Sequence, residues 1–440
     1  MDILSFFYEK TCLIKHDELA IIGKQLESEI KRIQAARDKG YDSIYASINL
    51  PFDTALREQV IQMVMKKQKH KPSVLVVIGI GGSNLGTMAV HEALYGAFYN
   101  EQKPDTKVYY ADTVDSDYIL DIALLIEQEL QSGREVLLNV ISKSGTTAET
   151  IANFEIFLDI LRRSRPQNYH EFVVVTTDEG SPLWKVAGAE GFDRLLIPKN
   201  VGGRYSVFSA VSLFPLKFIG VDIELLNAGA QEMVDKCISN DFFANPAALT
   251  AALLYGNYKK GFTIHDMFLF SVDLYLLGMW YRQLLAESIG KEHDRAGKRV
   301  TVGITPTVSI GSTDLHSIAQ LHLGGPNNRF TTFVSIEKNK SNIPVPCLEK
   351  FEQLVAHIQC RPLSSIMNAI LQGTKRAYEE KKRPFNTVVI PEKNAWCVGQ
   401  FLQWNMISIM YLGYLLGINP FDQPEVELYK QETRKILAHE

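Results

Sequence analysis

Nine short apolar runs, each closed by a polar or glycine-rich turn and followed by a helix-like pattern, constrain this 440-residue chain more than any other feature. In the first half they read SVLVVIG, KVYYAD, REVLLNVIS, EFVVVTT and DRLLIP, starting at Ser73, Lys107, Arg134, Glu171 and Asp193. In the second half FTIHDMFLF, RVTVGITP, RFTTFVSI and FNTVVIPE start at Phe262, Arg299, Arg329 and Phe385. Strands apolar along their whole length are buried on both faces, and strands that alternate with helices build a parallel sheet between helical layers. The predicted fold class is therefore α/β: two three-layer αβα units with mainly parallel sheets, plus N-terminal and C-terminal helices.

The boundaries follow the same pattern. Residues 1–70 are charged and helix-like, with DELAIIGKQLESEIKRIQAARDKG spacing its apolar positions by three and four before a glycine, and are expected to form a helical segment packed on the rest. Residues 71–220 form the first α/β unit and 221–440 the second, with the C-terminal helices. No Pro-rich or low-complexity linker divides the halves, which favours a shared interface.

Composition excludes several classes. With 46% hydrophobic and 22% charged residues and a net charge of −4, the chain lacks the basic excess of a nucleic-acid binder. Its N-terminus, MDILSFFYEK, has no basic n-region and does not read as a secretion signal. The apolar stretch Ala395–Ile418 carries Gln400, Gln403 and Asn405, so it reads as a core helix and not as a membrane span. Five scattered cysteines with no Cys-x-x-Cys pair fit a reducing, cytoplasmic setting.

In such sheets ligands gather in the loops after the strands. The first loop, IGIGGSNLG, has Gly79 and Gly81 but Asn84 where a dinucleotide fingerprint needs its third glycine. Asp112 after the next strand could mimic the ribose-binding acid, so an oxidoreductase stays open as a rival. A Walker loop counted from Gly81 to Gly86 fails at Thr87 and Met88. What remains, Gly82 and Ser83 with free amides at a helix start, suits a phosphate monoester, or else is a glycine turn needed only for packing. The second loop favours the phosphate: Ser142, Lys143, Ser144, Gly145, Thr146 and Thr147 gather four hydroxyls and a cation before a helix, where an N-cap needs one.

These loops, together with VGGRYSVFSAVSLFPL, QLLAESIGK, TDLHSIAQL and NPFDQPEVELYK in that order, resemble the signatures of the glucose-6-phosphate isomerase (phosphoglucose isomerase) family. The resemblance implies two sugar-isomerase (SIS) α/β domains, sugar phosphates as substrates, no cofactor or metal, and a homodimer whose active site lies at the subunit interface. The departures cluster beside the reactive positions: Ala286 and Ile289 around Glu287, and Asp314-Leu315 before His316. They make a broader phosphoglucose/phosphomannose isomerase an alternative, as a SIS-fold regulator that binds without turnover is a non-enzymatic one.

Moving a carbonyl between adjacent carbons requires ring opening, removal of a carbon-bound proton and stabilisation of an enediolate. A carboxylate in a partly dry site is a suitable base. Glu287 ends an apolar-periodic helix, and Gln283, four residues earlier, shares its face. By resemblance Glu287 is the base and Gln283 a substrate contact. His316 follows Ser-Thr-Asp, an N-cap pattern expected to place it in the first turn of a helix, where the dipole keeps imidazole neutral. The family implies that it opens the ring, reaching the site across the dimer interface. Lys430, seven residues after the substrate-binding Gln423, matches the family lysine that assists ring opening. Arg204, behind two glycines, has a fixed charge suited to stabilising the enediolate. The charge run Gly290–Arg299, with His293 and Asp294, reads as a solvated loop.

Overall fold

The computed structural model describes residues 3–439. Its twelve strands are β1 (Ser5–Phe7), β2 (Val74–Ile78), β3 (Lys107–Ala111), β4 (Val136–Ile141), β5 (Val173–Thr177), β6 (Asp193–Leu196), β7 (Ile264–Leu269), β8 (Lys291–His293), β9 (Arg299–Val302), β10 (Thr305–Ile310), β11 (Arg329–Lys338) and β12 (Phe385–Glu392). The first sheet has the order β3-β2-β4-β5-β6 and is parallel throughout. Every residue of β2, β4 and β5 is buried, as runs apolar on both faces require.

The second sheet, β1-β12-β11-β7-β10, repeats that order: its four parallel strands follow one another as β10-β7-β11-β12, matching β3-β2-β4-β5. The halves share this topology of parallel strands. In this order the direction of chain progression reverses between β2 and β4, and ligands of doubly wound sheets bind at such a switch point. The glycine loop after β2 and the hydroxyl loop after β4 therefore flank one crevice.

Alternate residues of each strand enter different cores. Val74, Val76 and Ile78 pack under the helices Ser116–Gln131 and Ala148–Ser164, whereas Leu75 and Val77 join a larger cluster that also takes in Met267, Leu269 and Val334 of the second sheet. A third cluster, built on Phe268, Phe333 and Tyr378, lies under the helix Leu363–Glu380. The two units thus share one core, consistent with the missing linker. The segment read as a core helix is the helix Ala395–Leu415, in which every residue from Cys397 to Gly413 is buried. Gly399 and Gly229 let it cross the helix Ile223–Cys237 at backbone contact: a Cβ on either would come within about 2.1 Å of a carbonyl oxygen, of Leu226 or Trp396.

Four expectations need correction. The first seventy residues are not all helical, because Ser5–Phe7 adds an antiparallel edge strand beside β12. RVTVGITP is not one strand: β9 pairs with β8 in a two-stranded ribbon, and β10, starting at Thr305, joins the sheet. The charge run from Gly290 is therefore part of a hairpin and not a loop. Of the cysteines, Cys347 and Cys360 form a disulfide, brought together by an antiparallel bridge between Pro344 and Pro362. Cys12, Cys237 and Cys397 are buried.

Candidate active site

The loop after β2 turns at Gly81, where φ is +58°, into the 3₁₀ turn Gly81–Ser83 and the helix Leu85–Tyr95. Its glycines are needed for close approach. A Cβ on Gly82 would lie 2.2 Å from the carbonyl carbon of Gly203 and 2.5 Å from the nitrogen of Arg204, and one on Gly81 would meet Gln283 Nε2 at 3.0 Å. The loop is thereby pressed against both the Arg204 turn and the helix that carries Glu287.

After β4, Ser142 Oγ lies 3.0 Å from Thr147 Oγ1 and accepts the Gly145 amide at 3.1 Å. Ser144 Oγ accepts the amide and the hydroxyl of Thr146 at 3.3 and 3.2 Å. These hydroxyls precede the N-terminus of the helix Ala148–Ser164, where free amides and the helix dipole favour an anion. Lys143 departs from expectation. Its Nζ donates to the carbonyls of Lys199 and Val201, both at 2.7 Å, so it ties down the neighbouring loop instead of standing among the hydroxyls. Burial pulls its pKa down.

Arg204 is the hub of the other half of the crevice. With 3% of its side chain exposed, it gives Nε to Ser288 Oγ at 2.8 Å and Nη1 to Glu287 Oε2 at 3.3 Å and Gln423 Oε1 at 2.9 Å. Its Nη2 donates to the carbonyls of Pro420 and Asp422 at 2.7 and 3.1 Å. Glu287 keeps 30% of its side chain open to solvent, and its other oxygen accepts from Gln283 Nε2 at 3.2 Å. Gln283 Oε1 is buried and has no hydrogen-bond partner among the described residues. A carboxylate with an accessible face, flanked by a fixed cation and a spare acceptor, can exchange a proton with a carbon acid and stabilise the anion that forms.

Sequence reasoning missed Lys291 and Ser288. Lys291 is buried, and its Nζ donates to the Glu287 carbonyl at 2.7 Å and the Asp422 carbonyl at 3.1 Å. Burial, with Arg204 adding to it, lowers its pKa against the opposing pull of Asp422. The available signal was its spacing, four residues after Glu287 at a helix end, where cations meet free carbonyls.

Two expected residues stand apart from this cluster. Lys430 lies in the helix Val426–His439 and pairs with Glu427 at 2.8 Å. His316 is exposed and has no side-chain hydrogen bond among the described residues; it ends the 3₁₀ turn Thr313–His316 and does not open an α-helix, which begins only at Ala319. The reason is Asp314, which accepts the Ile310 amide and the Ser317 hydroxyl and so stops the turn early. Topology also separates His316 from Glu287. The helix Tyr275–Ile289 runs back along β7 and β10, with Gly278 wedged against Leu269 and Val308 near the strands' C-terminal ends. Glu287 lies nine residues further along, ~13 Å down the helix axis. His316 lies beyond Ile310, past the opposite end of β10.

Residues 64–440 match the phosphoglucose isomerase family profile. The chain belongs to the phosphoglucose isomerase family. Among its relatives, the glucose-6-phosphate isomerase of Carboxydothermus hydrogenoformans is 33% identical over 95% of this chain and 89% of its own length. That of Lactococcus lactis is 32% identical over 99% and 96%. A hypothetical protein of Thermus thermophilus superposes with a TM-score of 0.87 at 32% identity, over 99% of this chain and all of its own. The crystal structure of a glucose-6-phosphate isomerase from Chlamydia trachomatis matches the fold with a TM-score of 0.83 at 21% identity, over 99% and 88%. The phosphoglucose isomerase match spans every candidate residue from Gly82 to Lys430, and the fold is the SIS-type pair of α/β units that the resemblance implied.

Proposed function

We propose that the protein is an aldose–ketose isomerase that interconverts glucose 6-phosphate and fructose 6-phosphate in the cytoplasm, in glycolysis and gluconeogenesis. The observation that carries this reading is the Glu287 carboxylate, one oxygen on Arg204 and the other on Gln283, facing the glycine loop at the mouth of a crevice whose other wall is rich in hydroxyls. The phosphate binds Ser83, Ser142, Ser144, Thr146 and Thr147 and the helix-start amides. The opened sugar lies toward Gly82, Gln283 and Gln423. Glu287 takes the proton from C2, Arg204 stabilises the cis-enediolate, and Glu287 returns the proton to C1. The proton moves between adjacent carbons of one molecule, so the chemistry needs no redox cofactor.

Ring opening falls to His316, assisted by Lys430 once it leaves Glu427. Groups acting on one sugar must each come within about 3 Å of it, whereas Glu287 lies in the last turn of the helix Tyr275–Ile289 and His316 follows the C-terminal end of β10, toward which that helix begins. As the family resemblance implies, His316 serves the site of a second copy, in a homodimer. The division into residues 1–70, 71–220 and 221–440 belongs to the same reading, the first segment packing on the two units that build the crevice. The broader isomerase draws no support from Ile289, which is fully buried in the shared core.

Proton NMR of fructose 6-phosphate with the enzyme in D2O tests the proposal. Glucose 6-phosphate carrying deuterium at C2 is the expected outcome. Mannose 6-phosphate beside it would establish the broader isomerase, and binding without product or exchange would establish the regulator.

A further inference from the structure

Arg204, Ser288, Tyr205 and the Pro420 carbonyl close a ring of hydrogen bonds. The guanidinium Nε lies 2.8 Å from Ser288 Oγ, Ser288 Oγ lies 3.1 Å from Tyr205 Oη, and Tyr205 Oη lies 3.4 Å from the carbonyl oxygen of Pro420. The guanidinium also reaches that carbonyl directly, from Nη2 at 2.7 Å. Three stretches of chain are tied together in this way: the 3₁₀ turn Gly203–Tyr205, the last turn of the helix that carries Glu287, and the turn that leads to Gln423.

The direction of each bond follows from the chemistry of the ends. A guanidinium only donates and a carbonyl only accepts. Ser288 Oγ thus accepts from Arg204 Nε, and the single proton of the Tyr205 hydroxyl goes to Pro420, which leaves the Ser288 proton for Tyr205 Oη. Each hydroxyl accepts once and donates once, and the two lone pairs of the Pro420 carbonyl receive both ends of the circuit. Burial raises the Tyr205 pKa, so the phenol keeps the proton that this order needs.

Arg204, Tyr205 and Ser288 are all buried, Ser288 completely. Away from water a broken bond in the ring has no replacement, so turning the guanidinium out of its plane costs the desolvation of every group it releases. The ring and the Asp422 carbonyl occupy Nε and Nη2. Nη1 is left to the crevice, where it meets Glu287 Oε2 at 3.3 Å and Gln423 Oε1 at 2.9 Å.

We infer that Ser288 and Tyr205 are positioning residues for the isomerisation: their hydroxyls fix the plane of the Arg204 guanidinium, and with it the place of the positive charge against Glu287 and the enediolate. The inference rests on the proposed isomerase reading, in which Arg204 stabilises that anion. The Tyr205 ring is held separately, against Phe421 with centroids 5.6 Å apart, so loss of the hydroxyl alone spares the packing.

Steady-state kinetics on fructose 6-phosphate test this with the full chain. Tyr205→Phe and Ser288→Ala are each expected to lower kcat about tenfold with KM within about twofold, since a displaced charge affects the transition state more than binding. Both hydroxyls are links in one circuit, so the double variant should also lose about tenfold and not a hundredfold. Tyr411→Phe removes another buried hydroxyl, bonded to the Cys237 carbonyl at 2.7 Å, and should keep the wild-type kcat. If Ser288→Ala does not fold, the comparison of Tyr205→Phe with Tyr411→Phe decides alone. Wild-type kcat in Tyr205→Phe, an equal loss in Tyr411→Phe, a rise in KM at constant kcat, or a hundredfold loss in the double variant would overturn the inference and leave the isomerase standing. A folded wild-type chain that does not turn over fructose 6-phosphate would overturn the isomerase reading itself.

Discussion

Arg204 touches Glu287 at 3.3 Å but commits its four other hydrogen bonds to Ser288, Gln423, Pro420 and Asp422. Its guanidinium is fixed by groups other than the carboxylate, so it supplies charge without moving when the carboxylate gains or loses a proton. That is the preorganised electrostatics expected beside a developing enediolate. Glu287→Gln keeps the shape and the Gln283 contact but removes the base. It should lower kcat by about 10²–10⁴-fold while KM changes little, since general-base catalysis contributes that much. Steady-state kinetics on fructose 6-phosphate decides it; near-normal turnover would remove Glu287 from the mechanism.

Lys291 holds the same carboxylate from behind, through the Glu287 backbone carbonyl, while joining it to the Asp422 turn. Lys291→Met retains the buried stem and deletes the tie. As a positioning residue it should lose about tenfold in kcat with KM within about twofold, because a misplaced base affects the transition state more than binding. A rise in KM at constant kcat would mean that Lys291 contacts substrate.

The fold was legible because its signal is local: strands apolar on both faces, repeated between helices, specify a parallel sheet whatever lies far away. β1 was missed because three residues with one exposed phenylalanine carry no periodicity, and their partner, β12, is almost 400 residues distant. The β9–β10 break was missed because RVTVGITP is continuous in propensity, and only pairing tells ribbon from sheet. In the site, Arg204, Gln283, Glu287 and Gln423 were readable from motif context and do meet. Lys143 and His316 show what motif context omits: which way a side chain points depends on carbonyls at Lys199 and Val201, or on an aspartate that ends a turn, and neither lies in the motif itself.

Gly82 tests whether the glycine loop is built for close approach. Its substitution by alanine places a Cβ 2.2 Å from the Gly203 carbonyl carbon, against backbone that cannot yield as a side chain would. Gly82→Ala should destabilise the fold by about 1–3 kcal/mol, the usual range for overpacking, and should raise KM as the loop is pushed from the Arg204 turn. Urea unfolding with parallel kinetics checks both. An alanine variant with unchanged stability would show that the loops are not in contact.

Acid should loosen the core through buried histidines. Burial lowers the pKa of His265 to about 3 and those of His91 and His322 to about 4, from an ordinary value of 6.5. Between pH 6.5 and about 4 the unfolded chain binds protons that the native one refuses, so stability falls as pH falls through that window and is fully present above it. His265 is buried, with Tyr281 Oη 2.8 Å from its Nδ1 and Thr332 Oγ1 2.9 Å from its Nε2, and the loss of solvation falls on its charged form. In His265→Asn the loss between pH 7.5 and 4.5 should shrink by on the order of 1–3 kcal/mol relative to wild type. Denaturant titrations at the two pH values give the difference; equal slopes for wild type and variant would assign the acid sensitivity to other groups.

Mixing two inactive variants tests the separation of His316 from Glu287. In a heterodimer of Glu287→Gln with His316→Ala, the chain that keeps Glu287 faces the partner's intact His316, while the other site has lost both groups. If the histidine acts in trans, each heterodimer has one whole site. Random reassortment makes half the dimers heterodimers, so the mixture should recover about a quarter of wild-type activity after subunit exchange, with neither parent active alone. If the histidine acted within its own chain, every site in the mixture would lack one group and no activity would return. That result would assign His316 and Glu287 of one chain to the same substrate.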